Sequence, residues 1–157
     1  MEKIKTKVTD KMAAFLQMKE KGRLVLKEFV RSEVVNFNDK TKNINQYPLT
    51  YELDFFGSIE GNIYLNITSE AALHITKSLF GHYLNDNPEN WKEVAMKEIL
   101  NIFSGHIITA FDEYNYDLDM GTPSSSTHNF IESKPRKKIL FRFLSNEHII
   151  QFIVEVH

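Results

Sequence analysis

Two β-prone segments lie on either side of the central helical part of the chain and limit its fold to the α+β class. Residues 51–68 alternate apolar and polar side chains on both sides of a glycine-containing break at residues 57–61, which predicts a β-hairpin. Residues 138–144 and 149–156 are two further strand-like runs, joined by a turn at residues 145–147. A helix that follows one hairpin and precedes another must cover a sheet that both hairpins build.

Two helices are predicted between these segments. Ser69 can cap a helix that ends at Gly81. Pro88 suits the first position of a second helix, which continues to about Phe111. The sequence GTPSSS at residues 121–126 is typical of a loop. The order of these elements predicts one α+β domain, in which long helices pack on a mainly antiparallel β-sheet.

The N-terminal region also has a helical pattern, over residues 9–35. Thr9 or Asp10 can cap it, and apolar residues follow at helical spacing. Gly22 weakens the pattern, so that one bent helix and two shorter pieces both fit. Polar turn-forming residues at 36–43 then predict a loop before the first hairpin.

Length, charge and cysteine content exclude several classes of protein. A chain of 157 residues is long enough for one domain with a substantial core. Its net charge of -2 argues against nucleic-acid binding, and the absence of cysteine excludes disulfides, thiol nucleophiles and zinc–thiolate sites. We find no signal-peptide pattern and no apolar run of membrane-spanning length, so we expect a soluble, cytoplasmic protein.

One face of the helix containing the sequence KEILNIFSGH carries the candidate site. At 100° per residue, Glu98, Asn101 and Gly105 lie opposite a broad apolar arc, and Thr109 and Asp112 continue the line. Residues with this placement are most often a solvated surface. Glycine at a helical position costs about 1 kcal/mol relative to alanine, however, which indicates that something must approach this face closely.

Other candidate sites are weaker. The spacing of Glu98 and Asn101 recurs at Glu33 and Asn36, but there it falls at the end of a segment among β-branched residues. No histidine pair has helical metal-binding spacing, so no metal site is predicted. The serines and histidine at 124–128 lack the strand–turn–helix context of a nucleophile. His106 is expected at the core or its rim, and Trp91 as a packing residue.

Three stretches carry a family resemblance. Residues 57–81 combine a glycine-containing strand with a Ser-capped helix ending in Phe-Gly, residues 93–105 carry Glu-x-x-Asn-x-x-x-Gly, and Pro123 follows. Together they resemble the CheX branch of the CheC/CheX/FliY family of response-regulator phosphatases. The resemblance covers about residues 50–157, and residues 1–48 match only loosely, as an N-terminal helical region. It implies a single CheX-like domain over the whole chain, 1–157.

Two positions depart from the family pattern. Many members carry an acidic or hydroxyl residue four positions before the glutamate, where this chain has Val94. After Pro123, where members usually have apolar residues, this chain has serines. Both changes fall at the edge of the expected site, and neither affects Glu98 or Asn101.

The resemblance implies a chemotaxis phosphatase that accelerates dephosphorylation of the aspartyl phosphate of the response regulator CheY. Asn101 would orient the attacking water, and Glu98 would form an ion pair with a receiver lysine. The receiver would supply Mg²⁺, and this chain would need no cofactor or metal of its own. The residues expected to contact the partner are Gly105, Asp112, Thr109 and Lys97.

Two further expectations concern alternatives and assembly. A non-catalytic module that uses the same face to bind a receiver domain or a flagellar switch protein is the competing interpretation. The chain is also expected to form a symmetric homodimer through its sheet, because the closing strands are long and β-prone and an uncovered strand edge tends to pair. The resemblance to dimeric CheX proteins implies the same.

Overall fold

An antiparallel sheet of seven strands is covered on one face by helices in the computed structural model, which describes residues 17–28, 34–36, 44–81, 88–132 and 137–157. In chain order the elements are α1 (residues 17–28), β1 (Val35–Asn36), β2 (Leu49–Gly57), β3 (Gly61–Ile67), α2 (Ser69–Phe80), α3 (Pro88–Asp112), β4 (Leu118–Met120), β5 (Ser124–Ser126), β6 (Lys137–Ser145) and β7 (His148–Val156). The predicted α+β class, with helices on a mainly antiparallel sheet, is confirmed.

The strand order is β1-β6-β7-β3-β2-β4, and β5 pairs with the same strand, β2, as β4 does. Both predicted hairpins are present. In the first, Leu53 of β2 lies opposite Ile63 of β3. In the second, Ser145 lies opposite His148. The two residues between them, Asn146 and Glu147, have φ angles of 45° and 67°, as a tight hairpin turn of the primed type requires.

The core lies between the helices and the facing side of the sheet. Its centre is Phe103 of α3, whose ring packs on Phe152 of β7 and Phe141 of β6, with centroids 3.8 Å and 5.5 Å away. Gly22 of α1 is buried, and a Cβ atom there would lie 2.7 Å from Cε2 of Phe103. The helix is continuous across Gly22, so this glycine provides close helix packing and does not divide the helix.

The predicted extent of the N-terminal helix is wrong at its C-terminal end. Val35 and Asn36 form strand β1, whose extended backbone pairs with Leu144 and Phe143 of β6. The proposed caps Thr9 and Asp10 lie outside the described residues. The length of an N-terminal helix was inferred from apolar spacing alone, and short β-branched runs fit a strand equally well.

Three smaller predictions also need correction. The cap of α2 is Thr68, whose Oγ1 accepts a hydrogen bond from the amide of Ala71 at 3.1 Å, so Ser69 is the first helical residue. Gly81 has a right-handed φ of -50°, not the left-handed conformation of a typical C′ glycine. Part of the predicted loop at 121–126 is strand β5, because Ser124–Ser126 finds pairing partners along β2.

The closing strands do not both lie at the sheet edge. Strand β7 is interior, between β6 and β3. Strand β6 pairs with β7 on one side and with β1, at Leu144 and Phe143, on the other. The strand order therefore places neither closing strand at the end of the sheet, which corrects the predicted uncovered edge.

Candidate functional site

Helix α3 buries one face and exposes the other. The apolar residues that are fully or almost fully buried are Ala95, Met96, Ile99, Leu100, Phe103, Ile107 and Ala110, which confirms most of the predicted apolar arc. Ile102 and Phe111 are half-buried. His106 is exposed, which corrects its expected place at the core or rim. At 100° per residue its direction falls between those of the buried Ala95 and Ile99, so helical geometry does not explain its exposure.

The opposite face carries a line of residues that we call the exposed stripe. At 100° per residue its members fall within an arc of about 80°, and the 1.5 Å rise per residue spreads them over about 27 Å of the helix. Gly105 and Asn101 are half-buried, and the others are exposed. The stripe consists of Val94, Glu98, Asn101, Gly105, Thr109 and Asp112.

Glu98 and Asn101 are adjacent in the stripe and point in similar directions. Their separation of three residues places them about 60° apart around the helix and about 4.5 Å apart along it. Among the described residues, neither side chain has a hydrogen-bond or ion-pair partner. A carboxylate and a carboxamide are therefore both available, side by side, to groups from another molecule.

The other predicted partner-binding residues differ in how available they are. Lys97 forms an ion pair with Glu93 at 3.0 Å and lies about 100° around the helix from Glu98, beside the stripe. The hydroxyl of Thr109 donates a hydrogen bond to the carbonyl of Gly105 at 2.9 Å. A Cβ atom on Gly105 would meet nothing within 4 Å. The packing of this chain therefore does not require glycine at that position.

The comparison with known protein families matches the part of the chain that contains this helix. The family model for chemotaxis phosphatase CheX matches residues 50–143, which include α2, α3 and the candidate site. The chain belongs to the CheX family. No curated protein matches it significantly in sequence.

Solved CheX structures share the fold. A CheX from Desulfovibrio desulfuricans aligns with a TM-score of 0.74 at 17% identity, over 92% of this chain and 97% of the other. A CheX–CheY–BeF3–Mg²⁺ complex from Borrelia burgdorferi aligns with a TM-score of 0.73 at 20% identity, over 93% and 97%. CheX from Vibrio vulnificus gives 0.71 at 20% identity, over 92% and 95%. At these identities the similarity establishes the fold.

An open pocket of 440 Å³ lies at the N-terminal end of α3 in this CheX chain. Burial raises the pKa of the Tyr51 phenol, and the carboxylates of Glu93 and then Glu89 raise it further. Neither Glu98 nor Asn101 lines the pocket, so it is separate from the central pair of the stripe. The lining residues are Leu49, Tyr51, Glu89, Asn90, Lys92, Glu93 and Ser125.

The serines and the histidine at residues 124–128 do not form a catalytic site. His128 stacks on Tyr64 with centroids 4.8 Å apart and contacts the edge of Phe130, on the face of the sheet away from the helices. Its Nε2 lies 3.7 Å from Oε2 of the buried Glu155. The neighbouring serines belong to strand β5. His128 is thus a packing residue that secures a loop on the sheet.

One of the remaining sequence candidates, Trp91, is structural. Trp91 is half-buried and packs against Phe80 with ring centroids 5.0 Å apart, which confirms it as a packing residue. Asn36 of the second Glu-x-x-Asn copy lies in strand β1, where side chains alternate between faces, and Glu33 lies outside the described residues. No group of three or more His, Asp or Glu residues is arranged to hold a metal in the described part of the chain. Nor does any helix described there have the length and apolar character of a membrane span.

Sequence reasoning located the stripe but assigned no role to one member. Val94 departs from the family pattern, and 44% of its surface is exposed on the same side of the helix as Glu98. The angular position of Val94 was available from the sequence. Its exposure was not, because an apolar residue in a helix is expected to face the core.

Proposed function

We propose that this chain accelerates hydrolysis of the aspartyl phosphate on a CheY-type receiver domain. Asn101 orients the attacking water, and Glu98 forms an ion pair with a receiver lysine beside the phosphoryl group. The observation that carries this proposal is the pair of adjacent, unpartnered side chains on the exposed face of α3, in a chain of the chemotaxis phosphatase CheX family.

The residue types suit this reaction. Water attacks phosphorus, the bond from phosphorus to the aspartate oxygen breaks, and inorganic phosphate and a free carboxylate result. The carboxylate is a good leaving group, so positioning of the water and charge stabilisation supply most of the acceleration. The amide of Asn101 cannot act as a useful base, but its oxygen can accept a hydrogen bond from water and its nitrogen can donate one.

Charge on the phosphoryl group is neutralised by the partner. In this proposal the receiver supplies Mg²⁺, and the chain contributes no metal or cofactor of its own. The Borrelia burgdorferi relative was solved together with CheY, BeF3 and Mg²⁺, which supports a receiver domain as the partner. Glu98 is exposed, so its ion pair with lysine contributes modest energy and mainly sets the orientation of docking.

We further propose that two copies associate through the sheet as a symmetric homodimer in the cytoplasm. The long, strongly β-prone strands β6 and β7 favour such association, and two-fold symmetry closes the assembly at two copies. The exposed stripe faces away from the sheet, so each copy keeps its receiver site.

The test is phosphate release from a phosphorylated receiver, with and without the chain. Asn101→Ala should slow the accelerated reaction by about 100-fold, because the water loses its orienting group. Binding to a receiver carrying BeF3 should remain near that of the wild type. Asn36→Ala is the matched control and should leave turnover unchanged.

Two outcomes would contradict this function. Near-wild-type turnover by Asn101→Ala would show that another group positions the water. Tight binding of the receiver without any acceleration by the wild-type chain would favour the alternative, a non-catalytic module that binds receivers or a flagellar switch protein.

A further inference from the structure

The N-terminal end of the exposed stripe is apolar. Val94 lies one turn before Glu98, and 44% of its surface is exposed. Trp91 is its neighbour three residues earlier on the helix surface, half-buried against Phe80. The ion pair of Lys97 with Glu93 lies on the other side of Val94. An apolar surface therefore adjoins the two proposed active residues.

Single exposed apolar side chains are common and need no explanation by themselves. Val94 differs because every other member of the stripe except Glu98 is also a residue type that is unfavourable in a helix. Valine, asparagine, threonine and aspartate each cost about 0.5 kcal/mol or more relative to alanine at exposed helical positions, and glycine costs about 1 kcal/mol. Nothing in the described packing requires these residues at Val94, Asn101 or Gly105, so the stripe is better suited to contact with another molecule than to the stability of its own helix.

We infer that Val94 makes an apolar contact with the receiver domain and helps to determine which receivers this chain accepts. This inference rests on the proposed function and adds a specificity-determining residue to it. The complementary group is an apolar side chain, or the aliphatic part of a long one, on the receiver. Val94 is seven residues from Asn101, so that group lies roughly 10 Å along α3 from the water that Asn101 orients.

If Val94 contacts the receiver, its loss should weaken binding and leave the chemical step unchanged. Val94 touches no reacting atom, so its loss should weaken binding equally in the ground state and the transition state. KM and the Kd for a BeF3-loaded receiver should both rise, and kcat should stay within about twofold of wild type. Asn101→Ala should show the reverse division, with kcat lost and Kd kept.

The experiment compares Val94→Ala and Val94→Asp in the full chain. Val94→Ala should raise Kd and KM about fivefold, from the loss of two partly buried methyl groups. Val94→Asp should raise them more than about tenfold, because a charge would be desolvated. Alanine is the better helix former, so Val94→Ala does not weaken α3. Val35→Ala is the matched control, the same truncation at a 45% exposed valine in β1, and should leave both constants unchanged.

The outcomes separate this inference from the proposed function. If both Val94 variants kept the wild-type Kd, KM and turnover, the inference about Val94 would be wrong and the proposed function would stand. Wild-type binding without phosphate release would overturn the phosphatase proposal, and the Kd of Val94→Ala would still decide whether Val94 contacts the receiver. An equal rise in Kd for Val35→Ala would also overturn the inference, since the effect would then be unrelated to the stripe.

Discussion

The ring of Phe103 on α3 stacks on the ring of Phe152 on β7, with centroids 3.8 Å apart and planes inclined by 14°. This contact sets the rotation of α3 on the sheet. Asn101 is two residues before Phe103 and so lies about 160° around the helix, on the side away from the sheet. A buried aromatic pair therefore orients the proposed active residues toward solvent.

Phe103→Ala should lower the free energy of unfolding by about 3–5 kcal/mol, because a fully buried ring is replaced by a cavity. Urea denaturation followed by circular dichroism measures this. Phe56→Ala is the control, since Phe56 lies on β2 with 44% of its surface exposed, and should cost well under half as much. A similar loss in both variants would contradict the central role of Phe103.

Gly105→Ala should stabilise the chain by about 1 kcal/mol and weaken receiver binding. The added methyl improves helix propensity and, apart from its own helix backbone, meets no atom of the described residues within 4 Å, but it occupies space that the docked partner needs. Thermal unfolding and binding of a BeF3-loaded receiver measure the two effects.

Gly22→Ala provides the comparison, because its methyl would lie 2.7 Å from Cε2 of Phe103. Overpacking there offsets the gain in helix propensity, so this variant should lack the stabilisation seen for Gly105→Ala. Unchanged receiver binding by Gly105→Ala would show that the partner does not approach that position closely.

Glu98→Gln should weaken docking and, with it, turnover at limiting receiver. Removing the charge while keeping the shape should raise Kd by up to about fivefold, the range of an exposed ion pair. The association rate should also depend less on ionic strength. Glu147→Gln, at an exposed position in the β6–β7 turn, is the control. An unchanged salt dependence in Glu98→Gln would exclude an ion pair at this residue.

Light scattering at micromolar concentration should give a mass twice that of the chain, because the proposed association through the sheet has two-fold symmetry and closes at two copies. Each dimer should bind two receivers, since the stripe faces away from the sheet. A monomer mass would contradict the dimer, as would a dimer whose formation blocks receiver binding.

Most local elements and the composition of the stripe follow from the sequence alone. The hairpin at 51–68 follows from alternation and a glycine-containing turn, which act over a few residues. The line from Glu98 to Asp112 follows from helical geometry alone, because 100° per residue assigns each side chain to a face whatever the helix packs against. Sequence context also favoured Glu98 and Asn101 over the copy at Glu33 and Asn36, which falls at the end of a segment among β-branched residues.

The relations between distant segments became visible in the three-dimensional structure. In the structure, β7 lies inside the sheet and β6 lies next to its edge strand. Val35 and Ser124–Ser126 form strands, and Gly22 packs on Phe103. Val94 likewise proved exposed although its side chain is apolar. Strand order, edge pairing and side-chain exposure depend on contacts between segments that are far apart in the chain. The local spacing of residues does not determine these contacts.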